Sequence, residues 1–315
     1  MPSLPALPHL LRSSTSLQAR RLERAAAEGR LIRVHPGVYV RAADWAGLLP
    51  EQKHVLQVQA ASTSLLSRLV FSHESAAAVH GLPFLSGTPK PVHVTDPERE
   101  RGQRWAGVVK HAGPLSDLEI EVVDGVQVTT LARTCVDVAL TCLFADGLAM
   151  VDAALAGGIV THDDLVRLLA DRPTARRRAS ACRLIEFGSP KAGSAGESLA
   201  RLRLFELGAP QPSLQEPFDD ADGLIGFVDL WWEEFGIALE FDGDHKYTNP
   251  RYANGRTPAQ IALDERKRER RLLAHPRVRT VVRSEWRDLL QPIRLRSALA
   301  AEGLPFGRPR PTIAT

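Results

Sequence analysis

The stretch ALEFDGDHKY, residues 238–247, gathers Glu240, Asp242, Asp244 and His245 directly after an apolar run. Upstream lies LIGFVDLWW (224–232), a second strand-like run, and Glu233-Glu234-Phe235 joins the two with a spacing that suits a hairpin. Pairing Trp232 with Ile237 carries the register to Leu230 opposite Leu239 and Asp229 opposite Glu240. Side chains alternate along a strand, so Val228, Leu230, Trp232, Ile237, Leu239 and Phe241 share one face, which reads as the core face. The other face holds Phe227, Asp229, Trp231, Ala238, Glu240 and Asp242, and three carboxylates converge there.

Like charges directly opposite one another, with Cβ atoms about 5 Å apart, destabilise a strand pair. A hard divalent cation would relieve the repulsion, because Mg²⁺ takes carboxylate oxygens at about 2.1 Å and keeps waters it can activate. Solvation of an exposed face, or pairing with arginines such as Arg201, would relieve it equally. The third carboxylate and the adjacent Gly243-Asp244-His245 tilt the reading toward the cation. Glu197 precedes this hairpin in the helix ESLARLRLFELG; Ser194-x-x-Glu197 fits a capping box, and a helix crossing the sheet would also aim Glu197 at a metal.

At 315 residues the chain exceeds the usual size of one domain. Its composition, 44% hydrophobic and 24% charged, is that of a globular protein. No apolar run approaches the roughly 18 residues of a membrane span, and MPSLPALPHLLRSS lacks a signal peptide's basic start and long apolar centre, so a cytoplasmic location is expected. Cys135, Cys142 and Cys182 form no CxxC pair, which argues against a zinc or disulfide framework. The net charge is only +3, but all basic residues other than six lysines are arginine, whose fork suits phosphate.

TSLQARRLERAAAEG (15–29) predicts a helix capped by Thr15 or Ser16 and stopped at Gly29. LIRVHPGVYVRA then predicts two strands around His35-Pro36-Gly37. A helix followed by such a ribbon is the end of a winged helix-turn-helix, with residues 3–13 as a candidate first helix. Further on, 52–70 reads as a helix, SHESAAAVHGL (72–82) as a short capped helix and PVHVTD (91–96) as a strand. Helices are expected near 130–143, 147–156, 162–171 and 174–187. His73 and His80, seven apart, read as structural, and Arg133 with Asp137 as an ion pair. GSPKAGSAG (188–196) is the clearest linker. The expected organisation is thus a DNA-binding domain over 1–48, a mixed α/β middle domain over 49–187 and a third domain over 188–315.

SAGESLARLRLFELGAPQPSLQ, FVDLWW, ALEFDGDHKY and LDERKRERRLLAHPRVRTVVRSEW, in that order, resemble the nuclease-like domain related to very-short-patch-repair endonucleases, within the PD-(D/E)XK superfamily. The resemblance covers roughly residues 190–292 and implies a restriction-endonuclease-like αβββαβ fold. It implies that Asp229, Glu240 and Asp242 hold Mg²⁺ or Mn²⁺, with Asp242 standing where the superfamily's lysine is usual. Glu197, His245 and Lys246 join the implied catalytic set, His245 or Lys246 as general base; a histidine near neutrality suits proton transfer. Arg268 and Arg271, on a charged helix over 264–275, are implied backbone contacts to DNA, with a solvated face balanced by Glu265 and Glu269 as the alternative. Trp231 on the acidic face would be placed to stack on a displaced base.

GRLIRVHPGVYVR, SHESAAAVHGLP, PVHVTDP and VTTLARTCVDVAL resemble actinobacterial proteins with the winged-helix domain of AbiEi-type antitoxins. That resemblance implies operator binding through Arg20, Arg21 and Arg24 on the recognition helix and Arg33 and Arg41 on the wing, a cognate toxin as partner and a homodimer. Two functions follow as expectations: a Mg²⁺-dependent endonuclease acting on nucleic acid, or an antitoxin-type transcriptional regulator whose nuclease-like domain is degenerate.

Overall fold

The computed structural model describes residues 7–62, 69–105, 107–172, 176–243 and 257–310. The chain is mixed α+β and divides into two compact units, residues 1–188 and 189–315. No helix among the described residues is long and apolar enough to cross a membrane.

The first unit opens with β1 (Leu11–Arg12), α1 (Ser16–Ala27), β2 (Leu31–His35), β3 (Val38–Arg41), α2 (Ala42–Ala46) and α3 (Pro50–Ser62). Thr15 caps α1 by accepting the Gln18 N–H at 3.2 Å. Gly37, at φ +74°, makes the turn between β2 and β3 that a side chain would strain. The three strands form an antiparallel sheet in the order β1-β3-β2. Its small core joins Leu22 and Ala25 of α1 to Leu11, Leu31 and Tyr39.

The helix expected over 3–13 is not found. Residues 1–6 lie outside the described residues, 7–10 are irregular, and Leu11–Arg12 pairs with Val38 and Tyr39. Pro8 has no N–H to give to a helix, and Leu11 is packed as a strand residue instead.

The rest of this unit is a six-stranded sheet with helices. It comprises β4 (Val70–Phe71), α4 (His73–Val79), β5 (Val92–Asp96), β6 (Gln103–Trp105), β7 (Val108–Ala112), β8 (Ile120–Val123) and β9 (Val126–Thr129). Then come α5 (Leu131–Thr141), α6 (Phe144–Ala156), α7 (His162–Ala170) and α8 (Arg178–Phe187). The strand order is β6-β7-β5-β4-β9-β8, with β5–β7 and β4–β9 parallel. Val55 and Val58 of α3 and Ala76 and Val79 of α4 pack on Phe71, Val94 and Val128 to form the core. The helix expected over 52–70 is described as far as Ser62; residues 63–68 lie outside the described residues, and Val70 and Phe71 are enclosed between β5 and β9 as strand residues.

The second unit runs α9 (Ala195–Leu207), β10 (Ser213–Asp220), β11 (Gly223–Trp232), β12 (Ile237–Phe241), α10 (Pro258–Ala274), β13 (Thr280–Ser284), α11 (Trp286–Leu290) and α12 (Pro292–Ala301). The sheet order is β10-β11-β12-β13, and only β12–β13 is parallel, so the charged helix α10 lies in the crossover between them. The hairpin has the register its spacing predicts: Trp232 opposite Ile237, Trp231 opposite Ala238 and Leu230 opposite Leu239.

Both faces of this sheet are covered. On one, the Phe241 ring meets Trp286 edge-on at 5.1 Å and packs against Gly196 of α9, where a Cβ would overlap the ring. On the other, Trp231, Ala238 and Phe218 pack on Leu272 of α10 and on Val278. The second face is therefore not the open acidic surface that alternation suggests.

Candidate functional site

The acids sit where α9, the sheet and α10 meet. Asp229 accepts the Phe241 N–H at Oδ2 (2.8 Å) and the Gln215 side-chain amide at Oδ1 (3.0 Å). The same amide nitrogen donates to Glu197 Oε2 at 2.9 Å. Glu197 also closes the start of α9: its carboxylate accepts the Gly193 N–H at 2.8 Å and the Ser194 hydroxyl at 2.9 Å, while its own N–H donates to Ser194 Oγ. It thus caps a helix and, through Gln215, meets the strand acid. Burial, and then the Asp229 charge, raises the Glu197 pKa.

Glu240 is only 5% exposed. Its Oε1 accepts from Arg268 at 2.7 Å, and its Oε2 lies 3.7 Å from Arg283. Arg283 stands opposite Glu240 in the parallel register and pairs with Asp242 at 2.8 Å and with Glu265 of α10 at 3.1 Å. Burial opposes the Arg283 charge, but the bonds to Asp242 and Glu265 outweigh it and raise its pKa. Arg268 donates further to the Phe227 carbonyl at 2.7 Å. Of the arrangements open to the sequence, this is the arginine-paired one.

Among the described residues, no group of three or more His, Cys, Asp or Glu side chains is arranged to hold a metal ion. The donor set explains why: Glu240 and Asp242 face guanidinium groups, and both Asp229 oxygens accept N–H donors. The Mg²⁺ or Mn²⁺ expected from the resemblance does not fit this arrangement. His245 and Lys246 lie outside the described residues.

Three residues of the expected interface have partners within the fold. Trp231 is 1% exposed and packs edge-on to Phe218 at 5.0 Å, so it has no free face for a base, because α10 covers it. Arg268 turns inward to Glu240. Arg271 is held by both oxygens of Asp220, at 2.8 and 2.5 Å, and by the Gly223 carbonyl at 2.9 Å. Both guanidinium groups thus have carboxylate and carbonyl partners in the sheet. Gln215, which joins Glu197 to Asp229, carried no signal: a glutamine in a polar strand looks ordinary, and its left-handed φ of +50° is not visible in sequence.

The N-terminal arginines differ. At about 100° per residue, Arg20 and Arg24 fall on the side of α1 away from Leu22 and Ala25 and Arg21 flanks that packed face, and all three are exposed. Arg33 and Arg41 are exposed on β2 and β3.

In the middle of the chain, Arg133 Nε bonds Asp137 Oδ1 at 2.8 Å, the ion pair its spacing suggests. His80 Nε2 lies 2.8 Å from the Thr129 carbonyl, a structural role. His73 does not stand by itself: its ring stacks on His111 at 3.5 Å, and His111 Nε2 lies 3.1 Å from His93 Nδ1.

Residues 69–187 match the family described as the AbiEi antitoxin C-terminal domain. The matched segment begins just before β4 and ends with α8, so it is the six-stranded sheet with the helices packed around it. Three of the four motifs that carry the antitoxin resemblance lie in this segment, and the match is to the C-terminal domain of that family; GRLIRVHPGVYVR and the expected winged helix lie outside it. Two proteins of Mycobacterium tuberculosis, Rv2248 of strain H37Rv and MT2308 of strain CDC 1551, both described as uncharacterised, are 29% identical over 222 residues, covering 70% of this chain and 77% of each relative. The crystal structure of the RV2827C protein from the same species covers 57% of this chain and 67% of its own, at TM-score 0.35 and 15% identity, too distant to carry an argument.

Proposed function

We propose that the chain is a DNA-binding regulator of the antitoxin type. The observation that carries this reading is the antitoxin-family match over residues 69–187. Residues 1–48 would act as a winged helix-turn-helix, and a cognate toxin would engage the family segment. Residues 188–315 would be a catalytically degenerate restriction-endonuclease-like module. One contrast supports it: Arg20, Arg21 and Arg24 are exposed on α1, whereas Arg268, Arg271 and Arg283 are paired with carboxylates of their own unit. Phosphate contacts from the exposed set would make binding salt-dependent, and two copies would place two such helices on one duplex.

The test is fluorescence anisotropy of the full chain on labelled DNA from upstream of its own reading frame. Saturable binding that is lost when Arg20, Arg21 and Arg24 are changed together to alanine supports the reading; binding indifferent to those changes refutes it. A metal-dependent endonuclease is the second reading, favoured by one observation: the helix and strand acids Glu197 and Asp229 share the Gln215 amide donor at 2.9 and 3.0 Å. It requires Arg268 and Arg283 to release Glu240 and Asp242.

A further inference from the structure

We propose that the cleft beside the histidine cluster of the family segment binds a phosphorylated small molecule of nucleotide size, which donates a hydrogen bond to Asp137 and presents its phosphate to Arg176 and Arg177. This goes beyond the regulator reading and does not depend on it. The cleft is about 1000 Å³, with His73, His111, Arg133 and Asp137 at its floor and Arg176 and Arg177 at its edge; that is the upper range of small-molecule sites.

Asp137 is the centre of the argument. It is 4% exposed, and its Oδ1 is bound by Arg133, yet Oδ2 has no hydrogen bond. A buried, unpaired carboxylate oxygen is costly to a fold and calls for a donor. His73 Nδ1 is 3.9 Å away and does not supply one. Ser72 Oγ accepts from Thr95 at 2.8 Å and also holds His73 Nδ1, at 2.9 Å. Burial, the largest influence, lowers the His73 pKa to about 3, which keeps the ring neutral.

His73 also holds a left-handed φ of +53°, a strain that native structures retain where the surroundings fix a side chain for a purpose. The cleft therefore offers an unfilled acceptor in its floor beside a neutral imidazole.

The edge supplies positive charge. Arg177 is anchored through Nη1 to the carbonyls of Thr141 and Cys142, at 3.0 and 2.8 Å, with no carboxylate on that nitrogen. Arg176 beside it is exposed. Arg133 and Arg172, by contrast, are already paired with Glu119. Glu100 and Asp171 also reach the wall, so the cleft is not a uniformly basic track of the kind that follows a nucleic-acid backbone. A ligand with a polar donor at one end and an anionic group at the other matches it, and a nucleotide has both, through a base N–H and a phosphate.

The experiment is isothermal titration of the full chain with AMP, GMP, CMP and UMP, with adenosine and guanosine as phosphate-free controls. At least one monophosphate is expected to bind. Asp137→Asn should abolish that binding. Arg176→Ala should weaken it about tenfold, the loss of one charge-assisted hydrogen bond. Arg176 is exposed, so that variant keeps the test decisive if Asp137→Asn fails to fold. Failure of all four monophosphates at millimolar concentration overturns the proposal. So does equal affinity for nucleosides and nucleotides, or wild-type affinity in Arg176→Ala.

Discussion

Replacing Arg268 by methionine asks what the guanidinium does for the acid cluster. Glu240 is 5% exposed, and Arg268 is its nearest cation, at 2.7 Å. Removing one partner of a buried pair commonly costs about 3–5 kcal/mol, because the remaining charge is left uncompensated. Two features reduce that here: the Arg268 side chain keeps 25% of its surface in water, and Arg283 remains 3.7 Å from Glu240. A loss of about 2–3 kcal/mol is expected, which in a unit of this size is a fall in melting temperature of very roughly 6–15 °C. Methionine keeps much of the aliphatic stem, so packing changes little. Chemical denaturation of the full chain, following the transition of residues 189–315, measures the loss. Glu240→Gln in the same background should return at least half of it, since the stranded charge is gone. Added Mg²⁺ should not restore the variant. Wild-type stability in Arg268→Met, or rescue by Mg²⁺, would refute the view that arginine rather than a cation balances these acids.

Gly196→Ala should cost the second unit about 1–3 kcal/mol by thermal melting, since the new methyl must displace the Phe241 ring from α9. Trp231→Ala should cost about 3–5 kcal/mol, as expected of a fully enclosed ring and not of one presented to bases. The first unit should be acid-labile. The folded-state pKa values of His73 and His111 are lowered to about 3, chiefly by burial. Lowered histidines contribute stability that is present above their ordinary value near 6.5 and lost as pH falls toward 3, so urea midpoints should decline over that range and His111→Gln should flatten the decline. Where α1 meets DNA, each of Arg20, Arg21 and Arg24 that neutralises a phosphate should lower the salt slope of binding by about 0.9 when changed to alanine.

How far the sequence could be read follows from which forces are local. The hairpin register was legible because apolar alternation and a three-residue turn determine it without outside help, and the structure pairs Trp232 with Ile237. The partners of the acids were not, because Arg268 and Arg283 arrive from α10 and β13, beyond the hairpin. The same distance hid the burial of Trp231: alternation identifies a second face but not the helix that covers it. The helices from α5 to α8 showed in their periodicity, whereas the pairing of β4 to β9 rests on contacts between distant strands. His73, His93 and His111 come from α4, β5 and β7 and meet only because β5 and β7 pair in parallel. The antitoxin resemblance was legible in the motifs of residues 72–82 and 128–140, and these fall inside the matched segment.

The most direct test of the central claim is one incubation read twice. End-labelled duplex from the chain's own upstream region is mixed with the full protein in Mg²⁺, in Mn²⁺ and in chelator, and each sample is run on a native gel and on a denaturing gel. The account expects a retarded band in all three conditions and full-length strands throughout. Metal-dependent shortening of the strands that disappears in Asp229→Ala would contradict it.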